Sequence, residues 1–191
     1  MNERGYTLLE MIIVMAIIVI LAAVAIPNIK AYSVEAHLLG AGRQFKWEFL
    51  KARSIAVKRG VNTAIRFERT DDDVFYSLYS DENHNGVRTV DIEAGIDVRI
   101  AGPLPLTGGA PGVRVGINPG VPALPPERGT LDPGDPIRFG RSDMLSFTPL
   151  GTATPGTFYL AGEITQAAVR VTPGSARVRL MICRGSRWVE R

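Results

Sequence analysis

Met11 to Ile26 is an unbroken run of sixteen apolar residues, and it opens directly after an acid, Glu10. No other feature restricts the chain so strongly. As an α-helix, Tyr6 to Ile26 spans about 31 Å at ~1.5 Å per residue, the thickness of a bilayer's hydrocarbon core. A carboxylate in such a segment costs on the order of 2.5–3.5 kcal/mol at mid-bilayer. Glu10 therefore calls for a compensating partner. A plain transmembrane anchor fits the length. A secretory signal peptide fits Ala23-Val24-Ala25, which has the form of an A-x-A cleavage site. The segment MNER carries no net side-chain charge, which argues against a signal peptide.

Pro27 predicts a kink rather than an end to the helix. Past it the pattern becomes amphipathic. Leu38, Ala41, Phe45, Phe49, Ala52 and Ala56 recur at i, i+3, i+4 spacing. Lys30, Lys46, Lys51, Arg53 and Lys58 occupy the other faces. Gly60 is a natural C-terminal stop behind Lys58 and Arg59. Gly40 and Gly42 lower helix propensity by about 1 kcal/mol each relative to Ala, and are read as sites of close packing or bending.

After Gly60 the period changes to two. Strands are predicted at 63–67, 74–79, 97–100, 143–148, 157–161, 167–172 and 176–183, with Asp71–Asp73, Pro155-Gly156 and Pro173-Gly174 as turns. Residues 101–136 contain seventeen Gly or Pro, which predicts an irregular insertion with one short strand near Val113–Ile117. A long helix followed by short strands implies an α+β fold, with antiparallel sheet packed on the helix. The divisions are residues 1–5, 6–27, 28–60 and 61–191. Cys183 is the only cysteine, so the core must hold without an intramolecular disulfide.

RGYTLLE followed by the apolar run resembles the cleavage site of type IV prepilins and type II secretion pseudopilins. The resemblance implies that residues 1–5 are a leader removed by prepilin peptidase after Gly5, and that Tyr6 becomes the N-methylated first residue. Thr7 and Glu10 match the next motif positions, and Tyr6 stands where Phe is commoner. Pro27 falls where many such helices carry a proline. Glu10 would then meet the Tyr6 amine of a neighbouring subunit, since two buried charges that pair offset much of their desolvation cost. DENHNGVR, SFTPLGTATPGTFYL and VRVTPGSARVRL resemble, more loosely, the C-terminal domain of GspH/FimT-type minor pseudopilins, which implies two sheets beside the helix. The implied role is a structural subunit of a type II secretion pseudopilus, with other pilins or pseudopilins as partners through the N-terminal helices. It would be a single-pass protein of the bacterial inner membrane with a periplasmic domain. The alternative is a minor type IV pilin of the FimT/FimU kind, acting in pilus biogenesis or DNA uptake.

Charge is segregated: residues 28–60 are basic, 68–97 acidic and 164–191 arginine-rich. Solvated faces account for this as well as a binding surface does. Arg177 and Arg179 share a strand face, and with Arg184 and Arg187 they are the candidate DNA contacts under the alternative reading. Arg170 and Arg191 complete this basic set. Every cation after Lys58 is Arg, which points equally to compositional bias. Asp81-x-Asn83-x-Asn85-Gly86 fits the first half of a calcium loop. The second half fails, because Ile92 occupies the twelfth position; Asp91 or Glu93 would have to swing in. A polar hairpin turn is the simpler reading, and no cofactor is required. His37 and His84 lie far apart, and no G-x-S-x-G, H-E-x-x-H or P-loop is present, so the chain reads as a non-enzyme.

Overall fold

The computed structural model describes residues 7–70 and 73–191; the side chains of residues 25–31 lie outside that description. The leader, Gly5, Tyr6, and most of the Asp71–Asp73 turn therefore fall outside it.

A single helix, α1 (Leu8–Arg59), runs through Pro27 without interruption. It ends at Gly60, whose left-handed backbone (φ 69°) lets its N–H reach the Ala56 carbonyl. Two antiparallel sheets follow. The first has the order β3 (Val98–Pro105), β2 (Val74–Ser80), β1 (Thr63–Arg69), β6 (Met144–Phe147). The second has the order β10 (Arg187–Glu190), β9 (Val178–Arg184), β8 (Gln166–Val171), β7 (Gly156–Ala161), β4 (Arg114–Val115), with β5 (Ile137–Arg138) also pairing β7. One short helix, α2 (Thr89–Glu93), interrupts the path from β2 to β3. The observed class is α+β, as the change of period from helical to alternating predicts.

The core forms where the amphipathic part of α1 meets both sheets. All six residues of the predicted stripe, Leu38 through Ala56, are buried. Phe45 meets Phe158 of β7 edge-on with ring centroids 4.9 Å apart, and Phe49 meets Phe139 at 5.9 Å. Phe67 of β1 stacks on Phe139 at 5.5 Å. One aromatic cluster thus joins helix, first sheet and second sheet. The buried Thr63 hydroxyl donates to the Ala52 carbonyl (2.9 Å), tying β1 to the helix. Gly42 serves close packing: a Cβ there would sit 2.5 Å from Leu180 Cδ1 of β9, whereas at Gly40 it would meet nothing within 4 Å.

Irregular as it is, the Gly/Pro-rich insertion is packed. Ile117 and Leu131 lie with Tyr159 and Ala168 on the sheet face turned away from α1, and Trp188 packs against them. The Trp188 indole donates to the Pro122 carbonyl (2.9 Å), and the buried Gln166 amide donates to the carbonyls of Gly116 and Leu160 (both 2.9 Å). Strands β7 and β8 are consequently covered on both faces, which is why their side chains are almost uniformly buried.

Candidate assembly site at the head of the long helix

Thr7 is the N-cap of α1, in extended conformation. The Glu10 amide donates to Thr7 Oγ1 (3.3 Å), and Glu10 Oε2 accepts from the Thr7 amide (2.8 Å) and hydroxyl (3.0 Å). The two residues close a reciprocal capping box, satisfying donors that a helix start otherwise leaves open. Sequence reasoning singled out both residues but missed their mutual bond. The signal was present: T-x-x-E immediately ahead of an apolar run is the capping-box pattern. The box fixes the acid at the first turn.

Beyond it, the side chains of residues 8–24 project away from the domain. Leu8 is 81% exposed, and the large apolar residues up to Val24 are all at least half exposed. Such a continuous apolar surface marks an interface with lipid or protein. Among the described residues no helix is long and apolar enough to cross a membrane. Pro27 belongs to the helix by its backbone, and its side chain lies among those not described.

Most of the C-terminal arginines are engaged. Arg179 Nε donates to Glu190 Oε2 (2.9 Å), and Arg177 pairs with the same carboxylate at 3.3 Å. The hydrogen bond from Arg179 holds the Glu190 carboxyl below its ordinary range despite slight desolvation. Arg184 pairs with Glu35 of α1, and Arg170 with Glu127 of the insertion at 3.1 Å. Arg187 is exposed on β10. Arg177 and Arg179 thus join β9 to β10, Arg184 joins β9 to the helix, and Arg170 joins β8 to the insertion.

The acidic loop is not organised as a calcium hand. Asn83 and Asn85 are exposed, and the Asn83 side-chain oxygen accepts from the Asn85 amide (3.3 Å). Asp91 lies in the separate α2. Among the described residues no group of three or more His, Cys, Asp or Glu side chains is placed to hold a metal. Asp81 is different. It is fully buried, and its Oδ2 accepts from Asn62 Nδ2 (2.7 Å) and the Gly86 amide (2.8 Å). Desolvation pushes its pKa up, but hydrogen bonds from Asn62 and from the amides of Gly86, His84 and Asn85 outweigh this and bring it below the ordinary value.

Residues 1–26 match the family model for the prokaryotic N-terminal methylation motif. No curated protein and no solved structure matches the chain. The motif, ahead of a long helix and antiparallel sheets, supports a type IV pilin-like protein of a pilus or pseudopilus. It supports methylation, contact with other pilins and a prepilin peptidase in general, and attachment to the membrane through the N-terminus.

Proposed function

We propose that the chain is a minor pseudopilin, a structural subunit of a type II secretion pseudopilus. The methylation motif carries the reading, because it covers the head of an exposed apolar helix that is continuous with the folded domain. Prepilin peptidase removes residues 1–5 after Gly5 and methylates the Tyr6 amine. Residues 6–27 anchor the subunit in the inner membrane, with the domain on the periplasmic side. Extraction into the filament exchanges lipid for the helices of neighbouring subunits. Desolvated in that bundle, Glu10 is neutralised by the Tyr6 amine of an adjacent subunit, which sets the register. No catalytic role is assigned to the domain. Its irregular, insertion-bearing outline suits a scarce adaptor better than a repeating shaft.

A minor type IV pilin of the FimT/FimU kind would share the same N-terminal chemistry. DNA binding through Arg177 and Arg179 would have to compete with their Glu190 pairing, which weighs against it. Mass analysis of the mature N-terminal peptide tests the main reading. A start at N-methyl-Tyr6 supports it; a start at Ile26, or an intact leader, overturns it.

A further inference from the structure

Strand β7 runs along α1 toward the helix N-terminus. Phe158, near its start, packs on Phe45 and Phe49. By Gly162 the chain has reached Val34 and Leu38: a Cβ there would sit 3.2 Å from Val34 Cγ1 and 3.7 Å from Leu38 Cδ2. The Gly162 amide donates to the Thr165 carbonyl (2.8 Å), so Glu163 and Ile164 form the tip of the β7–β8 hairpin. Strand β9, antiparallel to β8, runs the same way as β7. Its Leu180 faces Gly42, and its last residue, Arg184, pairs with Glu35. The β9–β10 turn and Arg187 therefore lie at that end as well. So does Arg114, opposite Ala161; its guanidinium donates to the Asn118 side chain (2.7 Å), which donates to the Gly162 carbonyl (3.1 Å).

This end carries apolar side chains that the fold leaves uncovered. Ile164 is 84% exposed, and Tyr32 on the adjoining helix is 78% exposed. Arg114, Arg184 and Arg187 stand at the same end, with Glu35 and Glu163 as acids. Arg114 and Arg187 take part in no ion pair among the described residues.

The helix sets how far this end stands from a bilayer that holds the apolar run. Val34 is eight residues past Ile26, or about 12 Å at ~1.5 Å per residue. Ile164 lies two residues past Gly162, a reach of about 6 Å at ~3.3 Å each. The headgroup layer outside the hydrocarbon is about 5–7 Å deep on each side. The hairpin tip thus falls at its outer part, and Tyr32, about 9 Å out by the same rise, stands just above it. We infer that Ile164 at the β7–β8 tip seats in the headgroup layer of the membrane that holds α1, with Tyr32 beside it and Arg184 and Arg187 toward the lipid phosphates. The isoleucine leaves water there, and the arginine forks suit phosphate oxygens. This second contact sets the tilt of the helix toward the hairpin side, as interfacial anchors do. The inference rests on attachment to the membrane through the N-terminus.

Site-directed spin labelling of the full-length chain provides the test, in vesicles of phosphatidylethanolamine and phosphatidylglycerol at three to one. Cys183, the only cysteine, is buried, and is replaced by Cys183→Ala so that each label is unique. Labels are placed by Ile164→Cys, Ile17→Cys and Leu150→Cys. Leu150 is 90% exposed at the opposite end of the domain, where a Cβ at the neighbouring Gly151 would sit 3.2 Å from Arg53 Nη2. Power saturation compares access of oxygen, which partitions into lipid, with access of a water-soluble nickel chelate. The oxygen-to-chelate ratio at Ile164→Cys should be severalfold higher than at Leu150→Cys, and highest at Ile17→Cys. Equal ratios at Ile164→Cys and Leu150→Cys, with Ile17→Cys lipid-exposed, would overturn the inference and leave the anchoring intact. A chelate-exposed Ile17→Cys would overturn both.

Discussion

Thr7 and Glu10 hold each other at the start of α1, with the Glu10 carboxylate accepting from both the amide and the hydroxyl of Thr7. Within a single chain, the acid to which the proposed function gives the assembly role is already oriented by local bonds. Under the proposed cleavage after Gly5, the new α-amine would belong to Tyr6, the residue before this cap. On the proposed function, the cost of placing Glu10 in an apolar segment is met in two stages: the Thr7 amide and hydroxyl within the subunit, and a cation upon assembly.

The first stage can be probed alone. Thr7→Ala removes the cap hydroxyl and should cost about 0.5–2 kcal/mol at the helix start. Amide hydrogen exchange at Glu10 and Met11 in detergent should accelerate, with protection near Phe49 unchanged. Equal exchange in both proteins would show that the cap contributes nothing.

Gly42 and Gly40 should respond in opposite ways to the same change. Gly42→Ala drives a methyl into the buried Leu180 and should destabilise by about 1–3 kcal/mol. Gly40→Ala meets open space and should gain up to about 1 kcal/mol from helix propensity. Paired denaturant titrations measure both.

Phe49 contacts Phe45, Phe67, Phe139 and Phe158 and is fully buried. Phe49→Ala should cost about 3–5 kcal/mol, since removal of a buried ring leaves a cavity between helix and sheets. A loss below 1 kcal/mol would mean that the helix does not anchor the domain.

Acid should loosen the Asp81 loop. Its folded pKa lies below the ordinary carboxyl value, so its contribution is fully present above the unfolded value and is lost as pH falls through the folded one. Denaturation midpoints measured from pH 7 to pH 3 should fall more steeply for the unaltered chain than for Asp81→Asn. Parallel curves would remove Asp81 as a pH-dependent contributor.

The helix stripe, its Gly60 stop and the long strands were legible because each repeats a period over many residues. Leu38 to Ala56 needs no tertiary knowledge to be placed on one face. Strands β5 and β10 and helix α2 escaped notice for the opposite reason. Ile137–Arg138 is too short to show alternation, Arg187–Glu190 is largely exposed, and Thr89–Glu93 buries no residue. The insertion read as irregular, yet its scattered Ile117, Leu124 and Leu131 are buried, because a sheet face decides their burial rather than any local period. The arginines were legible as charge but not as pairs; Arg184 finds Glu35 across most of the chain.

The most direct test of the account is filament incorporation of Glu10→Gln. Glutamine keeps the capping bond at the third helical position but carries no charge. Membrane insertion, leader removal and N-methylation of this variant should match the unaltered protein, while its recovery in sheared filaments should fall at least tenfold. Recovery at the unaltered level would contradict the claim that this carboxylate neutralises a neighbour's amine.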